Sequence, residues 1–170
     1  MSGPDPEIAV DIVSGAWESA CTDAASLARA AARSTLARSS TAAGLAPGAR
    51  IELSVVLTSD TEQRRLNRDW RGVDRSTNVL AFPAWEAAAP APPDAPVLLG
   101  DVVLACETVL REAAEQHKTP ADHLSHLIVH GVLHLLGYDH GTDAEAAAME
   151  RREISILASL GVADPYRRIM

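Results

Sequence analysis

The segment EIAVDIV at 7–13 alternates apolar and polar side chains, and this period of two predicts a half-buried strand. WESACTDAASLARAAARSTLA at 17–37 is rich in alanine, the strongest helix former, and predicts one long helix. IELSVVLT at 51–58 predicts a second strand. Ser59 and Glu62 then make an S-x-x-E capping box, which opens a helix through Trp70 that ends near Gly72. On that helix Leu66 and Trp70 share one face, with Arg64, Arg68 and Arg71 on the opposite one. TNVLAFP at 77–83 and LLGDVVLACE at 98–107 read as a third and a fourth strand, the latter passing directly into a helix. Thr119 as N-cap and Pro120 at the first helical position start the next helix, which carries HLSHLIVHGVLHLL and stops at Gly137. Thr142 and Glu145 form a T-x-x-E box that opens a last helix through about Leu160.

A chain of 170 residues with 47% hydrophobic side chains is long enough for one sizeable core, and it is expected to be a single domain over 1–170. Between the third and fourth strands, PAWEAAAPAPPDAP contains five prolines, so residues 84–97 are expected to form an extended Pro/Ala-rich loop. The N-terminal stretch has no basic region followed by an apolar one, and no run of 18 apolar residues follows. This predicts a cytoplasmic protein without a membrane partner. Cys21 and Cys106 belong to no C-x-x-C pair and are expected to be buried apolar side chains. The net charge of -8 argues against a nucleic-acid partner in general, and no DNA binding is expected. Residues 59–78 depart from that balance: five arginines (64, 65, 68, 71 and 75) face four acids (Asp60, Glu62, Asp69 and Asp74), a local charge of +1.

The chemistry is concentrated in HGVLHLLGYDH, residues 130–140. His130 and His134 are four residues apart, so on a helix their rings project from one face and can converge on one ion. Gly137 lets the chain leave the helix with a positive φ, and His140 can then return to the same point as a third ligand. The pattern H-x3-H-x2-G-x2-H has the spacing of the metzincin zinc peptidases. His126 shares the helix face, but three rungs of a straight helix span about 12 Å, too far for three rings to meet one ion. It is expected to pack beside the site, with His117 and His123 as polar helix residues. Zinc held by three histidines keeps an open position for water and lowers its pKa to about 7, so hydroxide is available without a side-chain base. That matters because Gly131 stands where a zinc peptidase carries its glutamate. Peptide hydrolysis needs a group to protonate the leaving amine. Phosphodiester cleavage asks chiefly for a placed nucleophile and positive charge near the developing oxyanion, which Arg71 or a neighbouring arginine can supply.

At these residues the sequence resembles the YbeY family of bacterial endoribonucleases and rRNA-maturation factors, over roughly residues 50–166. HLIVHGVLHLLGYDH carries the signature, and LNRDWRGVDRSTNVLAFP, LLGDVVLA and MERREISILASLGVADPY agree with the family's other blocks in order and character. The resemblance implies an α+β fold with a small mixed four-stranded sheet, packed here with about five helices, and a metzincin-like site. It implies one Zn2+ per chain on His130, His134 and His140, and cleavage of single-stranded RNA in small-subunit rRNA 3′ end maturation and ribosome quality control. The implied partners are rRNA and the small ribosomal subunit with its assembly factors. The family's functional arginine, in an R-G-x-D segment, falls on Arg71, and Arg64, Arg68 and Arg75 are the candidate substrate contacts. Two other readings use the same residues: a metzincin-like zinc peptidase, and a non-catalytic ribosome-assembly factor with a structural metal.

Overall fold

A computed structural model describes residues 4–86 and 95–167, so most of the expected Pro/Ala-rich loop, 87–94, lies outside the described residues. Among the described residues four strands, β1 (Glu7–Ile12), β2 (Ile51–Thr58), β3 (Val79–Pro83) and β4 (Val97–Ala105), make one sheet in the order β1-β2-β4-β3. β1 with β2 and β2 with β4 are parallel, whereas β3 is antiparallel to β4. The expected mixed α+β class is therefore the observed one. Among the described residues six helices accompany the sheet: α1 (Ala16–Ala20), α2 (Ala24–Ser39), α3 (Asp60–Arg71), α4 (Cys106–Glu115), α5 (Pro120–Leu135) and α6 (Asp143–Ser159). None among the described residues is long and apolar enough to cross a membrane.

The parallel pairs require crossovers, and α2 makes the first one, packing on α5. Its Ala28, Ala31 and Ala32 join Leu53, Val55 and Leu57 of β2, Val102 and Leu104 of β4, and Ile128 and Val132 of α5 in one buried cluster. Each buried Leu, Ile or Val there contributes about 1.5–3 kcal/mol relative to exposure. Cys21 and Cys106 are buried in the same cluster, as expected, and burial pushes both thiols above their ordinary range. α3 packs separately on β4 and is tied to α4 at their N-termini. Asp60 accepts from the Thr108 N–H and hydroxyl, while its own N–H donates to Glu107.

The structure changes two of the expected elements and shows which face of α3 is buried. The single helix at 17–37 is two helices, because Cys21 is extended (φ -150°, ψ 96°) and turns the chain between α1 and α2. The turn lets Trp17 insert fully into the core, where its indole N–H donates to the Thr58 carbonyl at 2.9 Å. On α3 the inward face is polar: Gln63 and Asn67 are buried and Trp70 is 76% exposed. The third strand starts at Val79 instead of Thr77, since the Thr77 N–H donates to the Gln63 side chain at 2.8 Å. Gln63 also donates to the Val103 carbonyl, and Asn67 donates to that of Arg75. These bonds fasten the segment after α3 against both the helix and β4.

Candidate metal centre

α5 begins as the sequence predicts, with the Thr119 side chain accepting from the Asp122 N–H and Pro120 in the first turn. It ends at Leu135, and Gly137 follows with φ 97°, a conformation in which a side chain is strained. The left-handed residue reverses the chain and brings His140 back toward the helix. Asp139 accepts from the His140 N–H at 2.8 Å and steadies that return. One ligating atom from each of His130, His134 and His140 lies within 4.8 Å of the others. The Nε2 atoms of His130 and His134 are 3.1 Å apart. Two tetrahedral ligands at about 2 Å from an ion sit about 3.3 Å from each other, so the spacing suits a shared metal.

The protonation pattern also fits. Burial, followed by the adjacent His130 and His140 rings, lowers the pKa of His134, which favours the neutral form that ligates. His130 is oriented from behind: its Nδ1 lies 2.6 Å from Oε1 of Glu153, a carboxylate only 1% exposed on α6. With the Nδ1–H donated there, the Nε2 lone pair is left facing His134 and His140. Glu153 is held in turn by His126, whose Nε2 is 3.0 Å from Oε2, and by the Tyr166 hydroxyl, which donates to the same oxygen. Burial alone would raise this carboxyl, but the bonds from His126, His130 and Tyr166 outweigh it and hold the pKa at about 2. His126 therefore packs beside the site, as expected. His123 is a polar helix residue as expected, though a buried one, whereas His117 is not on a helix. His123 is 2% exposed and bonded to Glu112 at 2.9 Å, and His117 lies past the end of α4 with φ 56°.

Glu153 escaped the sequence reading, although a signal for it exists. Met149, Ile156 and Leu157 mark the buried stripe of α6, and Glu153 falls on that stripe. A carboxylate in an apolar stripe needs a partner, and the histidine helix supplies two.

The three histidines open into a cleft of about 560 Å³ that is also lined by Arg71 and Arg75. Arg64 and Arg68 do not line it. Arg64 is engaged with Asp74 at 2.8 Å and Arg68 with Asp69 at 3.2 Å. A larger hollow of about 800 Å³ near Lys118 and Tyr166 contains none of the three histidines. Gly131 forms part of the cleft floor where α5 crosses the sheet. A Cβ there would lie 2.6 Å from Cγ1 of Val102 and 3.3 Å from Cγ2 of Val79, so the crossing excludes a side chain. The glycine is thus required by packing, and the chain has no room for a glutamate at the position of the peptidase base.

Comparison with known proteins follows the same residues. The family model described as Endoribonuclease YbeY matches residues 18–161. The Endoribonuclease YbeY of Rhodospirillum rubrum is 51% identical over 94% of this chain and 80% of its own length. That of Paramagnetospirillum magneticum is 53% identical over 94% of this chain and 95% of its own. The solution structure of TM1509 from Thermotoga maritima shares the fold with a TM-score of 0.52 at 21% identity, covering 95% of this chain and 99% of that one. A match through both the sheet and the histidine segment, at half identity over nearly the whole chain, places this protein in the endoribonuclease YbeY family of RNA-cleaving hydrolases.

Proposed function

We propose that the protein is a zinc-dependent endoribonuclease that cuts single-stranded RNA in small-subunit rRNA 3′ end maturation and ribosome quality control in the cytoplasm. The observation that carries this reading is the convergence of His130, His134 and His140 in one cleft with Arg71 and Arg75. Three neutral imidazoles suit zinc. When bound, the ion supplies Lewis-acid activation of water at neutral pH. The chain's own residues do the rest. Glu153 fixes the His130 ring, Asp139 steadies His140, and Arg71 holds the scissile phosphate and meets the charge that develops on its oxygens. Arg75, on the segment fastened by Asn67, binds an adjacent phosphate.

Two features weigh against the other readings. His140 is 58% exposed, so the cluster is open to solvent on one side, whereas a structural metal is normally enclosed by four protein ligands. The packing of Gly131 on Val102 removes the place from which a peptidase glutamate would act. The direct test is cleavage of single-stranded RNA by zinc-loaded protein, with activity lost on chelation and restored by zinc. Chelator-sensitive hydrolysis of casein, with RNA left intact, would overturn the proposal.

A further inference from the structure

A second basic cleft lies on the other side of the ligand loop. Arg38 at the end of α2 and Arg151 and Arg152 on α6 line it with Tyr138, and no carboxylate is among its lining residues; its volume is about 480 Å³. The absence is unusual in a chain with 23 acidic and 15 basic residues. Among the described residues, none of the three arginines has a carboxylate within the 4.0 Å of an ion pair, whereas Arg64, Arg65 and Arg68 each do.

These side chains are also partly pre-positioned. Arg152 donates from Nη1 to the Arg38 carbonyl at 3.2 Å and to the Ser39 hydroxyl at 3.4 Å. Its guanidinium carbon stands 5.4 Å from the centroid of the Tyr138 ring. The contacts are all with neutral groups, so the positive charge and several N–H donors remain available to an anion. Tyr138 belongs to the loop between His134 and His140, and Asp139, the next residue, lines the metal cleft. Consecutive residues are about 3.8 Å apart, so only the width of this loop divides the two clefts.

We propose that the Arg38, Arg151 and Arg152 cleft binds a backbone phosphate of the same single-stranded RNA, a short distance along the strand from the one cut at the three histidines. The proposal rests on the RNA-cleaving reading above. Arginines on α3 and before β3 lie on one bank of the metal cleft, and these three would hold the strand as it leaves across the other. Planar guanidinium groups without a competing carboxylate fit phosphate oxygens, and the Arg152–Tyr138 stack offers a flat surface to an unpaired base.

The test compares zinc-loaded wild type with an Arg38→Gln/Arg151→Gln double variant, both sites being exposed. A second variant adds Arg152→Gln. Fluorescence anisotropy and cleavage rates are measured on a trinucleotide and on a strand of about twelve nucleotides, across a range of salt concentrations. The double variant is expected to bind the long strand about tenfold more weakly at low salt, and its log–log salt slope should fall by about 0.7, for one lost phosphate contact. Trinucleotide cleavage should be unchanged. Unchanged long-strand affinity in both variants, or equal losses on the two lengths, would overturn the proposal. If wild type binds the long strand through these arginines but cuts neither substrate, the phosphate site stands and the endoribonuclease reading fails.

Discussion

α5 carries four histidines along one stretch, and the two halves of that ladder have different surroundings. His123 and His126 end on carboxylates inside the protein, Glu112 and Glu153. Among the described residues no carboxylate bonds to the His134 ring, whose Nε2 points at His130, while His130 belongs to both halves, with Nδ1 on Glu153 and Nε2 in the cluster. The same residue type on the same helix thus does structural work where its Nε2 ends on an acid, and is left able to ligate where Nε2 faces the other histidines. Which ring nitrogen the acid takes decides which histidines can serve a metal.

Removing a ring from each half should give opposite results. His134→Ala is expected to lose bound zinc, from about one per chain to near zero, and with it essentially all RNA cleavage, because two imidazoles do not hold the ion at useful affinity. His123→Gln should keep the metal and lower the unfolding free energy by about 1–3 kcal/mol, since Glu112 loses its buried partner. Elemental analysis beside denaturant unfolding reads both effects. Full zinc in His134→Ala would mean that the division of the ladder is wrongly drawn.

The arginines divide in the same way, by whether an acid already holds them. Arg71 lines the metal cleft, whereas Arg68 is paired with Asp69 outside it. Arg71→Ala should therefore slow cleavage by about a hundredfold with zinc content and Tm unchanged, and Arg71→Lys should recover only part of the loss. Arg68→Ala should have little effect. Equal, small losses in the two alanine variants would take Arg71 out of the active site.

Much of this division could be read from the sequence, because it is written in spacing. The histidine cluster follows from H-x3-H-x2-G-x2-H, and the starts of α3, α5 and α6 follow from Ser59, Thr119 and Thr142, whose side chains make the expected caps. What sequence spacing could not supply were partners distant in the chain. Trp17 reaches Thr58, Gln63 reaches Val103, and Arg64 is taken up by Asp74 ten residues later. Each overrides a local preference: the long alanine helix breaks, α3 buries amides while its tryptophan stays outside, and an arginine of the right helix is diverted from the cleft. Glu153 is the clearest instance, an acid whose role exists only once α6 lies against α5.

Glu153 joins the two halves, and its replacement should affect each to a moderate degree. Glu153→Gln keeps the shape but weakens the acceptor for His130, so zinc affinity should fall by about 10- to 100-fold in a chelator competition. The metal-free proteins should also differ in acid. The folded pKa of Glu153, about 2, lies below the ordinary 4.5, so its stabilisation is fully present above pH 4.5 and is lost as pH falls toward 2. Across that window wild type should lose about 3 kcal/mol that the glutamine variant does not. Parallel stability curves would show that Glu153 is not held by its partners in the way the geometry indicates.

The smallest effect separates the two oxygens of that carboxylate. Oε1 receives His130, and Oε2 receives His126 and the Tyr166 hydroxyl. If the ladder is divided at Glu153, a change on the Oε2 side should be felt as stability and not as metal binding. Tyr166→Phe removes one donor from Oε2 and leaves the His126 bond and the His130 bond in place. The expected loss is about 1 kcal/mol in unfolding free energy, the ordinary worth of one hydrogen bond, with zinc affinity within about twofold of wild type. A drop in zinc affinity as large as that of Glu153→Gln would instead mean that Tyr166 sets the position of the whole carboxylate. The C-terminal segment would then belong to the metal site as much as α6 does.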